Sequence, residues 1–160
     1  MIVGNVFLNN GEANSPNGGV FINTASDPMN RIDFNSIAGN LALAGGNAPG
    51  IHCNAGAGCI SRNNIIWGNN VNAGPQVGGS YKHAYSDIGL MSVGATNDAG
   101  NNLSVDPMFN SASDPHLMLG SMVRQKADPS ADLGGIAAKD IDGEPRIAPA
   151  DIGADQLPRP

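Results

Sequence analysis

Three segments of this chain repeat at nearly constant spacing. They are Asn5-Val6-Phe7-Leu8-Asn9-Asn10, Asn35-Ser36-Ile37-Ala38-Gly39-Asn40 and Asn64-Ile65-Ile66-Trp67-Gly68-Asn69, at offsets of 30 and 29 residues. A period of this length marks an architecture built by stacking similar units. The second half of each unit keeps step: Gly19-Val20-Phe21-Ile22-Asn23, Gly50-Ile51-His52-Cys53-Asn54 and Gly79-Ser80-Tyr81-Lys82-His83 begin 14, 15 and 15 residues after the leading asparagines. A third short apolar piece precedes each unit at Ile2, Ile32 and Ile60. Short β-type segments separated by Gly and Asn exclude helical coils and predict an all-β solenoid whose strands pair only with their equivalents above and below.

Stacked strands lie about 4.8 Å apart, so equivalent residues form columns. Phe7, Ile37 and Ile66 are expected to form one inward apolar column; Val20 and Ile51 form another, which lapses at Ser80. The asparagines form columns at Asn5/Asn35/Asn64 and Asn10/Asn40/Asn69. Each amide can give one hydrogen bond along the stack and take one from the other side, while tolerating the left-handed backbone of a tight corner. Such ladders account for an interior with 22 Gly yet only 4 Phe, 2 Tyr and 1 Trp among 160 residues.

A net charge of −6 supplies no basic footprint for nucleic acid, and an anionic membrane surface would repel the chain. No run reaches the roughly 20 apolar residues of a membrane helix, and Met1-Ile2-Val3-Gly4-Asn5 does not read as an export signal. Cys53 and Cys59 do not have a zinc spacing; they read as two small, semi-buried residues or as a local disulfide.

Four stretches carry a resemblance. Asn63-Asn64-Ile65-Ile66-Trp67-Gly68-Asn69 and Tyr85-Ser86-Asp87-Ile88 look like successive coils; Asn102-Leu103-Ser104-Val105-Asp106-Pro107-Met108-Phe109, followed by His116-Leu117 and Gly120-Ser121, looks like the segment after them. Asp140-Ile141-Asp142-Gly143-Glu144-Pro145-Arg146 with Asp151-Ile152-Gly153-Ala154 looks like a terminal signature. In these the chain resembles the right-handed parallel β-helix repeat proteins of the pectin-lyase-like superfamily, in the bacterial surface-associated group that ends in a choice-of-anchor segment. The resemblance covers nearly the whole chain. It implies a short right-handed parallel β-helix of about three to four coils over residues 1–100, an irregular capping segment packed on it over 101–160, and a secreted or cell-surface location. Met122-Val123-Arg124-Gln125 departs from the family pattern, which has Pro and a buried Ala-Ile-Asp there. Family members are much longer, so the chain reads as the C-terminal part of such a helix.

Polysaccharide lyases and hydrolases of this kind place carboxylates, often with calcium and a basic residue, on one face of adjacent coils. Here Glu12, Asp27, Asp33 and Asp87 share no column. Asp106, Asp114, Asp128 and Asp142 precede Pro or Gly and read as turn formers. His52, His83 and His116 show neither nucleophile nor metal spacing, so no catalytic residue, metal or cofactor is expected. The candidate binding row is Phe21, His52 and Tyr81, alternate to the inward positions and hence outward, with Lys82, His83, Tyr85 and Asp87 nearby. It could stack on sugar rings or on another protein, unless the segment from about Asn101 onward folds over it.

The expectation is therefore a non-catalytic structural or binding module for carbohydrate or protein. Its alternative is a partial or degenerate polysaccharide lyase or hydrolase using Asp87 with Lys82 or His83. Ice binding would require threonine columns, and the chain has only Thr24 and Thr96. The first coil shows no cap, and an uncovered edge is a template for association, which predicts a homodimer through the N-terminal coil.

Overall fold

The structure, a computed structural model, describes residues 1–23, 31–54, 60–70, 75–80, 82–90 and 98–159. The described residues are nearly all-β, apart from a short 3-10 turn at Gly135–Ala137, and the strands form stacked parallel sheets compatible with a parallel β-helix. The first tier comprises β1 (Ile2–Val3), β2 (Val6–Leu8) and β3 (Val20–Ile22); the second, β4 (Arg31–Asp33), β5 (Ser36–Ala38) and β6 (Ile51–Cys53); the third, β7 (Ile60–Arg62), β8 (Ile65–Trp67) and β9 (Val77–Gly79). Then come β10 (Lys82–Ala84) and β11 (Asp87–Ile88), and an antiparallel hairpin of β12 (Phe109–Ser111) and β13 (Asp114–Leu117). Parallel pairing links β1-β4-β7-β10, β2-β5-β8-β11 and β3-β6-β9.

The columns follow from this register. Phe7, Ile37 and Ile66 stack as expected, and Ile88 continues them. Two sequence alignments need correction. Ile2 and Ile32 stack on Ser61 and His83, not on Ile60, which pairs one place earlier with Arg31. Val20 and Ile51 stack on Val77, so that column does not lapse at Ser80. The third tier is three residues shorter at this point. The reason lies in the second ladder: Asn69 gives both its backbone N–H and its side-chain amide to Gln76 Oε1, each at 2.9 Å, and Gln76 returns its amide to Asn69 O. Gln76 thereby ends the ladder and starts β9 at the next residue.

Both ladders run in one direction. Asn5 donates to Asn35 Oδ1 and Asn35 to Asn64 Oδ1, each from backbone N and Nδ2; Asn10, Asn40 and Asn69 repeat the pattern. Ser86 and Asn102 extend the first ladder, with Asn64 N donating to Ser86 Oγ and Ser86 N to Asn102 Oδ1. The left-handed corner, however, belongs to the residue before each rung: Gly4, Phe34, Asn63, Tyr85 and Asn101 have φ of 69°, 55°, 58°, 48° and 58°. Asn9, Gly39, Gly68 and Leu90 form the equivalent column beside the second sheet. Non-glycine residues at these angles are strained and persist where their surroundings hold them.

The interior contains Val20, Ile32, Ile37, Ile51, Cys53, Ile66, Val77 and Ile88. Burying one such Ile contributes about 1.5–3 kcal/mol. Cys53 is fully buried there, and Cys59 lies outside the described residues. A second core lies outside the tiers, where Phe34 and Ile65 meet Leu117, Val123, Ala127, Ala137, Ala150 and Ile152 of the C-terminal segment. Val123, in the stretch that departs from the family pattern, is fully buried, and its carbonyl accepts the Ile152 N–H. Hydrogen bonds from Asp128 N to Asn63 Oδ1 and from Ala154 N to Ser36 Oγ fasten the segment to the tiers. No helix among the described residues is long and apolar enough to cross a membrane.

Candidate functional site

Alternation along β3 and β6 turns Val20 and Ile51 inward and Phe21 and His52 outward. The two rings stack with centroids 5.8 Å apart and planes 21° from parallel. Phe21 is 43% exposed, so the C-terminal segment does not cover this face; it packs on Phe34 and Ile65 instead. His52 Nδ1 accepts the Ala48 N–H at 3.3 Å, which places the neutral ring's proton on Nε2, 3.2 Å from Asn54 Oδ1. The ring is held at both nitrogens and presents a fixed surface.

The third place in this row belongs to Gly78, not Tyr81. A side chain there would be crowded, because a Cβ on Gly78 would lie 2.8 Å from His52 Nδ1 and 3.0 Å from Ala48 Cβ. Tyr81 lies outside the described residues. The expected aromatic row is thus a pair with a bare glycine beside it.

The remaining candidates do not join the pair. Lys82 and His83 lie on β10 and Asp87 on β11, in two other sheets. Lys82 is exposed, whereas His83 occupies the interior column beneath Ser61, whose Oγ is 3.2 Å from His83 Nδ1. Burial pushes the His83 imidazole down to about 3, against a small opposing pull from Asp98. Tyr85 is the left-handed corner residue between the two strands and is half-buried. Asp87 is fully buried beneath the segment that follows it. Its Oδ1 accepts the Val105 N–H at 3.0 Å, and its Oδ2 is buried with no hydrogen-bond partner among the described residues. Burial drives this carboxyl up to about 7. Asp87, Lys82 and His83 therefore form no surface acid–base group.

A different cluster sits in the C-terminal segment. The hairpin places His116 on β13, the turn after Asp140 presents Asp142, and the terminal stretch brings in Asp155. His116 Nδ1 pairs with Asp114 Oδ1, and His116 Nε2 lies 3.2 Å from Asp142 Oδ1 and 3.1 Å from Asp142 Oδ2. Asp155 is only 4% exposed; its Oδ2 accepts the Leu117 N–H at 2.7 Å, and burial raises its carboxyl above the ordinary range. The turn-former reading holds for Asp106, Asp114 and Asp128, which accept backbone N–H groups two residues ahead. Asp142 also lies in a turn, closed by the Gly143 N–H to Asp140 O, but there Asp140 Oδ1 takes the N–H groups of Asp142 and Glu144, leaving the Asp142 carboxylate to face His116. The Asp-Gly and His-Leu motifs were visible, but their meeting was not.

No protein-family model matches the chain, and neither a curated protein nor a solved structure matches it.

Proposed function

We propose that the chain is a non-catalytic binding module of the pectin-lyase-like, right-handed parallel β-helix kind, working at the cell surface or outside the cell, and that it holds carbohydrate against the Phe21–His52 face. The observation that carries this reading is the outward, stacked pair of an exposed Phe21 and a half-buried His52 on a three-stranded sheet, with Gly78 keeping the neighbouring position bare. Apolar faces of sugar rings stack on such surfaces, and a ring fixed at both nitrogens loses little entropy on binding. The net charge of −6 favours an uncharged glycan over a polyuronate. Affinity electrophoresis against a panel of neutral and acidic polysaccharides tests it. Retardation by a neutral glycan that weakens at least several-fold in Phe21→Ala and His52→Ala is expected; retardation unchanged by both substitutions would overturn it. The alternative of a partial lyase or hydrolase needs Asp87 at the surface beside Lys82 or His83, and the burial of Asp87 and His83 argues against it.

A further inference from the structure

We propose that His116, Asp142 and Asp155 form a binding site for a divalent transition-metal ion of the zinc class. One ligand atom from each lies within 4.8 Å of the other two. Bonds of about 2.0–2.1 Å to a tetrahedral ion put neighbouring ligand atoms about 3.3 Å apart. The His116 Nε2 to Asp142 contacts of 3.1 and 3.2 Å already have that span, and an Asp155 carboxylate oxygen lies within 4.8 Å of both ligands.

The imidazole distinguishes this from an ordinary acidic patch. Asp114 lies outside the three ligands and engages His116 Nδ1, which directs the other ring nitrogen at the two carboxylates. A carboxylate behind the histidine and an open nitrogen in front of it is the arrangement that orients metal-bound histidines and raises their basicity. Facing Asp142 at 3.1 Å, Nε2 needs a cation between, either a proton or a metal ion. Asp155 adds a second carboxylate, held in place by the Leu117 N–H that its Oδ2 accepts at 2.7 Å and within reach of the other two ligands. One nitrogen and two carboxylate oxygens suit zinc, whereas calcium takes oxygen ligands throughout. The ligands are supplied by a paired strand, a turn pinned by Asp140 and a stretch packed in the second core, so the site is assembled by folding. His116 and Asp142 side chains are 43% and 52% exposed, which leaves the remaining coordination position to water.

Isothermal titration of tag-free, chelator-treated protein with zinc chloride tests this, with calcium chloride as the comparison. One zinc ion per chain is expected, bound at least tenfold more tightly than calcium, with affinity falling at least tenfold in both His116→Gln and Asp142→Asn while circular dichroism stays native. Cobalt(II) loaded at the same stoichiometry should give a visible spectrum that changes in His116→Gln. Absence of saturable zinc binding, or binding that both variants retain unchanged, overturns the proposal.

Discussion

Asn35 gives both its backbone N–H, at 2.9 Å, and its side-chain amide, at 2.8 Å, to a single oxygen, Asn64 Oδ1. Asn64 in turn uses its Nδ2 to serve Ile32 O, Ser61 Oγ and Arg62 O. One fully buried side chain thus contacts five polar groups, its two amide protons shared among three acceptors. Asn35 Nδ2, Ser61 Oγ and Arg62 O have further partners in Ile2 O, His83 Nδ1 and the Phe34 N–H, so replacing Asn64 strands chiefly the Asn35 N–H and Ile32 O, at about 1–3 kcal/mol for each. Asn64→Ala should lose about 3–5 kcal/mol by urea unfolding, after partial relaxation. Asn5→Ala, at the exposed end of the same ladder, should lose under about 1 kcal/mol. Equal losses at the two positions would refute the ladder as the source of stability.

Asp87 and His83 should have opposing effects on stability. In the folded chain Asp87 is raised from 3.8 to about 7 by burial, so its contribution is fully present below about 3.8 and is lost as pH rises through about 7. His83 is lowered from 6.5 to about 3 by burial, so its contribution is fully present above about 6.5 and is lost as pH falls through about 3. Between about pH 4 and 6.5 the two slopes, each up to about 1.4 kcal/mol per pH unit, oppose one another. Relative to wild type across that window, Asp87→Asn should grow more stable as pH rises, and His83→Leu should grow less stable. Parallel pH–stability curves for all three proteins would show that neither group is perturbed.

The ladders were legible in the sequence because a shared amide oxygen demands the same residue at the same place in successive tiers. The third-tier register was not. Gln76 performs an asparagine's task from a position the repeat does not predict, and it moves Val77 under Ile51. Strand alternation alone turns Phe21 and His52 outward, whereas the shorter third tier gives the next place in that row to Gly78. The His116 cluster was hidden for a different reason. His116 and Asp142 are 26 residues apart and share no repeat, so only the irregular packing of the C-terminal segment brings them together.

Arg146 illustrates how that packing is held. Its guanidinium carbon sits 4.5 Å from the centroid of the Phe34 ring, one of the left-handed corner residues, and its NH2 donates to Ala154 O. Asp140, Asp155 and Asp151 supply the surrounding negative charge, while burial lowers the group to about 10. Removing the guanidinium takes its hydrogen bond from the buried Ala154 carbonyl and its charge from the three aspartates, at a cost of about 1–3 kcal/mol. Arg146→Met should show a loss of that size in denaturant unfolding, and Arg146→Lys a smaller one, because lysine restores charge but not the planar stack. An Arg146→Met protein as stable as wild type would mean that Phe34 is held in place by apolar packing alone.

Gly153, in the C-terminal segment, lies directly against β5 and β8, and its two demands can be separated. Its φ of 100° disfavours any side chain, and a Cβ there would come within 2.5 Å of Ile65 Cδ1 and 3.1 Å of Ser36 Oγ. Gly153→Ala should therefore lose about 2–4 kcal/mol, from backbone strain together with overpacking. Ile65→Val removes the Cδ1 that the new methyl meets, at a cost of about 0.5–1.5 kcal/mol by itself. If steric conflict with Ile65 dominates, the double variant should be more stable than Gly153→Ala alone. If the left-handed backbone dominates, the two losses should add. A thermal unfolding cycle over the four proteins distinguishes these outcomes, and full additivity would place the glycine requirement in the turn and not in its contact with β8.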